Sequence, residues 1–296
     1  MANPNLTRHV SAMLDRTGTV TGALAHAPSG MHFLRFDAPT DQDATVYRPL
    51  LCLVLQGAKE VSTSSKTITV SDGQSLLVSH ALPITSRITK AAPDRPYIAL
   101  VLPLDLDLVR SLASDVTPQP GGGPQNPFSI SLFQTEPALE DAIWRYLEQV
   151  EAVESRRLLA PITRREIHAR LLLGPHGEQL QKLLWHETTA SRIFVATQDI
   201  QSNLSTTIAV GDLARLVGMS SSAFFEHFKS VTGTSPLQYQ KDLRLLRARD
   251  ALRTTKEKVS EVAFSVGYES AAQFSREYAR KFGAPPKQDR MQASLA

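Results

Sequence analysis

Cysteine is almost absent from this chain of 296 residues, which contains only Cys52. A single thiol cannot form a disulfide within the chain, and it cannot build a zinc site from several cysteines. Cys52 lies in the apolar run LLCLVLQG, where we expect a small buried side chain. The alternative for this residue is a redox-sensing thiol.

Long apolar runs and a large net charge are also missing. No window approaches about eighteen uninterrupted apolar residues, and the start MANPNLTRHVSAMLDRTG lacks the basic-then-apolar order of a secretory signal. We therefore expect a cytoplasmic protein without a membrane partner. The composition, 42% apolar and 21% charged, is that of a folded globular protein.

The net charge of +3 conceals an asymmetry between two parts of the chain. Residues 1–189 carry 17 Lys+Arg against 19 Asp+Glu, a balance of −2, whereas residues 190–296 carry 15 against 10, a balance of +5. Only the second part suits a polyanion. The length accommodates two domains, and we predict them at 1–189 and 190–296.

The first part shows a β pattern followed by a helical one. Between about residues 31 and 104, six apolar runs are separated by turn residues, which is typical of a sandwich or small barrel. These runs are MHFLRF, LLCLVLQG, KTITV, SLLVS, ITSRITK and YIALVLPL. The Pro- and Gly-rich segment 117–127 predicts a loop or linker, and helical spacing follows over about 137–187.

One predicted helix carries a regular apolar stripe. The stripe consists of Leu139, Ile143, Leu147 and Val150. It can pack inside its own domain or form a dimer seam. We favour the seam for residues 138–155.

The basic tail contains one pattern twice. The first copy is IAVGDLARLVGMSSSAFFEHFKSVTG, and the second is EKVSEVAFSVGYESAAQFSREYARKFG. The matching pairs are Gly218 with Gly267, Phe224 with Phe274, Phe228 with Tyr278, and Gly233 with Gly283. Each copy predicts a helix-turn-helix, in which a short helix braces a second helix that can enter the major groove of DNA.

Helical geometry predicts which residues of the last of these helices face outward. At about 100° per residue, the aromatic residues Phe274, Tyr278 and Phe282 cluster with Ala271 on one side. The opposite side carries Ala272, Gln273, Arg276 and Arg280. Arginine suits guanine edges or phosphate, and glutamine suits adenine.

A predicted helix over 236–254 joins the two copies. It spans roughly 28 Å, close to the ~34 Å that separates successive major-groove faces. Its basic residues are Lys241, Arg244, Arg247, Arg249 and Arg253. They either contact phosphates or form an ordinary solvated face.

The two repeated segments resemble the AraC/XylS family of bacterial transcription regulators. RPLLCLVLQGAKEV, RPYIALVLPLDLDLV and LLAPITRREIHARLLLGPHGEQLQKL are similar to the AraC-type N-terminal domain. The resemblance implies an α+β protein, with an N-terminal cupin-like β-barrel and helices followed by an all-α domain that contains two helix-turn-helix motifs and seven helices in total. It also implies an N-terminal domain that forms a homodimer, binds a small effector, or does both, and a C-terminal domain that recruits or blocks RNA polymerase at a promoter. Of the two directions of regulation, the resemblance favours activation, here of nearby metabolic genes, by a cytoplasmic, nucleoid-associated protein.

The candidate DNA-binding residues come from both copies. They are Ser221, Ser222, Phe225, Glu226, Lys229, Ala272, Gln273, Arg276 and Arg280. Phe225 and Glu226 stand where the family usually has a polar and a basic residue, and Ala271 and Ala272 replace longer polar side chains. Direct readout in the second copy therefore depends on Gln273 and Arg276.

Two other functional classes are alternatives to the regulator. A metal-free cupin-like binding protein or enzyme would use the helical tail as an interaction module, and an oligomerisation module would have no ligand. His32 and His80 lack a metal-ligand spacing, while we interpret His168, His176 and His186 as scattered surface residues or satisfied core residues of the predicted helices. Asp105 and Asp107 are more typical of a helix start than of a catalytic pair. We expect no catalytic residues, metal or cofactor.

Overall fold

The computed structural model describes residues 3–116, 129–184 and 188–293. The predicted loop at 117–127 and His186 lie outside these residues. Within the described ranges the chain forms ten strands and thirteen helices. The strands are β1 (Gly22–His26), β2 (Met31–Phe36), β3 (Asp43–Tyr47), β4 (Leu50–Gln56), β5 (Ala58–Ser62), β6 (Thr67–Ser71), β7 (Gln74–Val78), β8 (Leu82–Lys90), β9 (Tyr97–Pro103) and β10 (Ile130–Gln134). The helices are α1 (Pro4–Arg16), α2 (Leu106–Ala113), α3 (Pro137–Glu151), α4 (Val153–Leu158), α5 (Ala160–Leu173), α6 (Gly177–Leu184), α7 (Thr189–Ser202), α8 (Val210–Leu216), α9 (Ser221–Thr232), α10 (Pro236–Thr254), α11 (Val259–Ser265), α12 (Ala271–Phe282) and α13 (Pro286–Ala293).

The strands form two antiparallel sheets that face each other. One has the order β1-β2-β9-β4-β7-β10, and the other has the order β3-β8-β5-β6. The turn at Gly73 carries the chain from β6 in one sheet to β7 in the other, where its N–H bonds the carbonyl of Val54 at 2.8 Å. No ladder joins the two sheets among the described strands, so the cupin-like domain is a two-sheet sandwich and its strands do not close into one barrel. The α+β class is confirmed.

Strand β4 explains why the six-stranded sheet has an unbroken apolar run at its centre. Leu51, Leu53 and Leu55 point into a core shared with the N-terminal helices, whereas Cys52 and Val54 point into the core between the sheets. A strand covered on both faces needs apolar residues at every position, since successive side chains alternate between faces.

All six predicted runs overlap strands, but β1, β3, β5 and β10 were not predicted. Strand β5 shows why, since its sequence AKEVS places Lys59 in the core. The Lys59 ammonium is 3.0 Å from the sulfur of Cys52 and 3.2 Å from the hydroxyl of Tyr47. Cys52 is itself fully buried, as expected. The compensating partners of Lys59 come from other strands, so no local pattern reveals its burial.

The apolar stripe of α3 lies inside its own domain, and the prediction of a dimer seam over 138–155 is therefore wrong. Leu139, Ile143, Leu147 and Val150 are buried in the core formed with the six-stranded sheet. This sheet needs an apolar layer over its outer face, and α3 and α5 supply it. Asp105 caps α2 by accepting the N–H of Leu108 at 3.0 Å, which confirms it as a helix start.

Three histidines of this half, His80, His168 and His176, are buried and hydrogen-bonded. His168 contacts the N–H of Asp105 and the carbonyl of Arg164, which supports the interpretation of a satisfied core residue. His176 lies between Ser75 and Ser131, and burial lowers its pKa to about 4. Over the described ranges no group of three or more potential ligands is arranged to hold a metal ion. No helix of those ranges combines the length and apolarity of a bilayer span.

The C-terminal region is built from two small cores that share α10. Tyr239 and Leu243 of α10 pack with α7, α8 and α9, while its residues Leu245, Ala248 and Leu252 pack with α11 and α12. The predicted bounds of this helix, 236–254, are confirmed, as are the seven helices from α7 to α13 in the described part of this region. The boundary between residues 189 and 190 stays a prediction.

The glycines that end α8 and α11 occupy equivalent turns but have different surroundings. Both have positive φ, +65° at Gly218 and +91° at Gly267. A Cβ added at Gly267 would lie 2.2 Å from the backbone oxygen of Ser205, whereas at Gly218 the nearest atom is an Arg192 nitrogen at 3.9 Å. Backbone oxygen cannot move aside as a flexible side chain can.

We therefore expect Gly267→Ala to destabilise the protein much more than the matched control Gly218→Ala. Gly218→Ala should cost about 1–2 kcal/mol because of the left-handed backbone alone. Gly267→Ala adds a clash and should cost more than about 3 kcal/mol. Urea denaturation of the two variants measures the difference. Equal losses would contradict the close approach of Ser205.

Candidate nucleic-acid interface

The second helix of each repeat begins and ends in the same way. Ser220 caps α9 by accepting the N–H of Ala223 at 3.3 Å, and Ser270 caps α12 by accepting the N–H of Gln273 at 3.3 Å. Gly233 and Gly283 end these helices in the left-handed conformation. Each helix has twelve residues, so the predicted duplication extends to helix length.

Aromatic side chains attach both helices to their cores. Phe224 and Phe228 of α9 are fully buried with ring centroids 5.5 Å apart, and Phe274 and Tyr278 of α12 are fully buried at 5.4 Å. These are ordinary separations for tilted aromatic pairs. The prediction that the aromatics of α12 face inward is confirmed, with Phe282 partly buried in the same core. The opposite side of each helix is uncovered.

All nine candidate DNA-binding residues are exposed. On α9 they are Ser221, Ser222, Phe225, Glu226 and Lys229, and on α12 they are Ala272, Gln273, Arg276 and Arg280. The structure therefore brings them together on two helix surfaces, one for each repeat. Phe225 is 45% exposed, so its ring is accessible on the surface of α9.

The surface of α12 carries two arginines, one without an ion pair in the described chain and one close to a carboxylate. Arg276 makes no hydrogen bond or ion pair with any residue in the described ranges, so its guanidinium is available to a ligand. Arg280 is 72% exposed and lies 4.0 Å from the carboxylate of Glu277. A weak exposed pair of this kind costs little to exchange for a phosphate.

Glu277 organises the surface of α12, and sequence reasoning missed it. Its carboxylate accepts hydrogen bonds from Tyr268 at 2.9 Å and Gln273 at 3.4 Å, and it pairs with Lys241 of α10 at 2.9 Å. Burial by itself raises the pKa of Glu277, but these bonds outweigh burial and hold the pKa below its usual range. Glu277 therefore stays ionised and holds Gln273 in position. In the sequence, the i, i+4 spacing of Gln273 and Glu277 on one predicted helix indicates that their side chains can form a hydrogen bond.

Most basic residues of α10 are occupied within the protein. Lys241 pairs with Glu277, and Arg244 donates to the carbonyls of Leu204, Thr206 and Gly267 at 2.7–3.0 Å. These bonds tie α10 to the ends of α7 and α11. The prediction of an ordinary solvated face is therefore wrong for these two residues, and the alternative of phosphate contacts stays a prediction.

Asp289 holds Arg249 and Arg253 in the second half of α10. Its carboxylate accepts from Arg249 at 3.0 Å, Arg253 at 2.9 Å and the hydroxyl of Tyr278 at 2.5 Å. Burial by itself raises the pKa of Asp289, but these hydrogen bonds outweigh it and lower the pKa to about 2. This cluster fixes α13 and α12 against α10. It leaves Arg247 as the basic residue of α10 without a partner in the described chain.

Comparison with protein families agrees with this geometry. A model described as the AraC-type transcriptional regulator N-terminus matches residues 27–179, more than half of the chain. The chain belongs to the AraC family. A helix-turn-helix domain model matches residues 213–292, which include α9 and α12. This AraC-family chain is a DNA-binding transcription regulator.

Similar proteins include regulators from several bacteria. The chain is 24% identical over 254 residues to the virulence regulon transcriptional activator VirF of Yersinia enterocolitica, covering 81% of this chain and 88% of VirF. It is 29% identical over 145 residues to the transcriptional activator RhaS of Escherichia fergusonii, covering 49% of this chain and 50% of RhaS. The structure of ToxT from Vibrio cholerae has the same fold, with a TM-score of 0.55 and 11% identity over 90% of this chain and 98% of ToxT.

The Asp289 cluster makes the stability of this AraC-type domain depend on pH. A carboxyl group with a lowered pKa stabilises the fold above its unfolded pKa, and this contribution disappears as the pH falls through the folded value. The change from 3.8 to about 2 corresponds to about 2.5 kcal/mol. We expect Asp289→Asn to lose roughly this amount near neutral pH, and to differ little from the unchanged protein near pH 2.

Chemical denaturation between pH 7 and pH 2 tests this expectation. Asp107→Asn is the matched control, because the side chain of Asp107 is 93% exposed. This control should change the unfolding free energy by less than about 0.5 kcal/mol at each pH. A difference between Asp289→Asn and the unchanged protein that does not shrink on acidification would refute the role of the ion pairs.

Proposed function

We propose that this regulator binds a promoter through both helix-turn-helix units at once and activates transcription of nearby metabolic genes. One observation supports this proposal above all. The 19-residue helix α10 contributes side chains to the cores of both units. The second helix of each unit, α9 or α12, has an exposed surface, and we call these two the outer helices. A rod of roughly 28 Å suits two successive major-groove segments on one side of the duplex. VirF and RhaS are both named as activators, which supports the direction of regulation.

The two units contribute unequally to base recognition in this proposal. On α12, Gln273 and Arg276 can make bidentate contacts with adenine and guanine edges. On α9, Glu226 can accept from cytosine, and Phe225 can contact a thymine methyl group, but Glu226 also repels phosphates. The second unit therefore provides most of the sequence discrimination. Lys229 and Arg280 provide charge toward the backbone, and Ser221, Ser222 and Ala272 allow close approach.

In this proposal the N-terminal sandwich controls the activity of the DNA-binding region. We propose that it forms a homodimer and binds a small effector, that the bound protein contacts RNA polymerase, and that it works in the cytoplasm in association with the nucleoid. No catalytic step belongs to this function.

An exposed apolar surface supports the homodimer, and it overlaps the predicted seam only at residues 153–155. Val153, Leu158, Leu159 and Ile162 form what we call the 153–162 patch, and they are between 48% and 71% exposed. Glu154 and Arg157 lie within the same short segment and have opposite charges. A two-fold axis through such a patch would bury the apolar residues and bring opposite charges together, as a self-complementary interface requires.

Arg276→Ala and Lys229→Ala should weaken DNA binding in different ways. Loss of a base contact at Arg276 should cost about 1–3 kcal/mol and relax base preference at one position. Loss of a phosphate contact at Lys229 should weaken binding evenly across sequences and lower the salt slope by about one. Fluorescence anisotropy with a footprinted promoter site, its single-base variants and several salt concentrations separates the two effects.

The matched control for both variants is Arg110→Ala, which removes an exposed arginine from the N-terminal half. It should leave affinity and salt slope unchanged. If neither Arg276→Ala nor Lys229→Ala altered binding to the footprinted site, the assignment of the two outer helix surfaces would be wrong.

A double change in the 153–162 patch, Leu158→Glu with Ile162→Glu, should separate the dimer. Four buried carboxylates in a two-fold interface would raise the dissociation constant by at least about 100-fold, because each would lose hydration without a partner. Sedimentation velocity measures the mass. Val20→Glu, at a position 67% exposed in the same half of the chain, is the control and should remain dimeric. A monomeric unchanged protein at micromolar concentration would exclude the dimer.

A further inference from the structure

Glu277 binds groups from three different parts of the DNA-binding region, although it belongs to the outer helix α12. One oxygen of its carboxylate pairs with Lys241 of α10 at 2.9 Å and accepts from Gln273 of α12 at 3.4 Å. The other oxygen accepts from the hydroxyl of Tyr268, in the turn before α12, at 2.9 Å. The side chain of Glu277 is only 16% exposed. Because both oxygens are engaged, the carboxylate has one defined orientation.

A second ion pair joins the same two helices one turn further along α12. Lys281, four residues after Glu277, pairs with Asp242, which follows Lys241 on α10. Each helix therefore contributes one acid and one base. All four side chains are less than one third exposed, so solvent screens these pairs less than fully exposed ones. Together the two pairs restrict the rotation of α12 about its own axis relative to α10.

The first unit has no equivalent of this arrangement. The repeat that aligns Phe224 with Phe274 places His227 at the position of Glu277. His227 is partly exposed and makes no hydrogen bond or ion pair with the residues that the structure describes. Within those same ranges, no ion pair joins α9 to α10. The arrangement is therefore specific to the second unit and does not follow from the shared helix-turn-helix pattern.

The contact with Glu277 decides which way the amide of Gln273 points. An ionised carboxylate only accepts hydrogen bonds, so the NH2 group of Gln273, and not its carbonyl oxygen, faces Glu277. One N–H and the carbonyl oxygen then remain for a ligand. This donor and this acceptor match N7 and the N6 amino group of adenine.

We propose that Glu277 is a positioning residue that determines the base specificity of the second unit, because it fixes both the amide of Gln273 and the orientation of α12. This role rests on the proposed contact between Gln273 and a base. A glutamine whose amide can invert offers its donor and acceptor in either order, and it therefore discriminates less between base edges. Glu277 acts through Gln273 and needs no contact of its own with DNA.

Glu277→Gln tests this role with little change in side-chain volume. Single-base variants of the footprinted site are first used with Gln273→Ala to identify the base pair that Gln273 reads. At that pair, Glu277→Gln should reduce the preference for adenine at least about threefold, since a hydrogen bond to a charged group is lost. The salt slope, which reports neutralised phosphates, should change by less than about one. Fluorescence anisotropy measures both quantities.

Tyr268→Phe is a second variant that does not depend on the stability of Glu277→Gln. It removes one donor to Glu277 and keeps the ring that packs against Phe274 at 5.2 Å. It should lower the adenine preference in the same direction, by at least about twofold. The matched control is Glu257→Gln, which removes an exposed carboxylate without a side-chain partner in the described part of the same half. The control should leave the adenine preference unchanged.

A double-mutant cycle separates positioning from a general structural effect. If Glu277 acts through Gln273, Glu277→Gln should cause no further loss of adenine preference in a protein that already carries Gln273→Ala. In the free protein, the side-chain amide NMR signals of Gln273, assigned with Gln273→Ala, should shift in Glu277→Gln and not in Glu257→Gln. An equal loss of preference in both backgrounds, or unshifted amide signals, would overturn the positioning role.

The same measurements distinguish failure of this role from failure of the proposed function. If Gln273→Ala changes the base preference but neither Glu277→Gln nor Tyr268→Phe does, the positioning role is refuted and the proposed readout by Gln273 stands. If Gln273→Ala changes the preference at no base pair, the proposed contact between Gln273 and a base is refuted, and the role of Glu277 is refuted with it.

Discussion

The DNA-binding half depends on one constraint, which is that both of its hydrophobic cores are completed by the same helix. Neither repeat buries its apolar face alone. Tyr239 and Leu243 close one core, and Leu245, Ala248 and Leu252 close the other. Because an α-helix is stiff over this length, the two outer helices have a defined separation before any DNA is present. In the proposed complex, this preorganisation would lower the entropy cost of engaging two groove segments together.

Charge within this half is divided between structural and available groups. Acidic residues such as Glu277 and Asp289 hold several cations of α10 in position. Arg276 and Arg247 have no such partner in the described chain. A count of basic residues therefore overstates the positive surface that a nucleic acid or an anion can meet. The net charge of the region supports attraction, but geometry decides where that attraction acts.

The N-terminal sandwich is attached to the first repeat by several specific contacts. The hydroxyl of Tyr239 donates to the carbonyl of Ala81 at 2.6 Å, and Ser129 donates to the carbonyl of Val231 at 2.7 Å. Ser64 donates to the carbonyl of Gly233 at 2.6 Å, beside the C-terminal end of α9. These bonds hold the first repeat against the sandwich and leave the N-terminal end of α9 exposed. The contacts to the sandwich are therefore made at the C-terminal end of α9 and not at the end that carries Ser221 and Ser222.

The sequence by itself determined the repeated helix-turn-helix pattern, the bounds of α10 and the inward direction of Phe274 and Tyr278. These features follow from local periodicity, glycine-terminated helices and aromatic spacing, all of which are readable along one segment. Only the tertiary structure decided that the stripe of α3 is internal, that Lys59 is buried, and that most cations of α10 are paired. The physical reason is that burial and ion pairing depend on groups far apart in the chain, such as Arg249 with Asp43. No local pattern encodes such a partner.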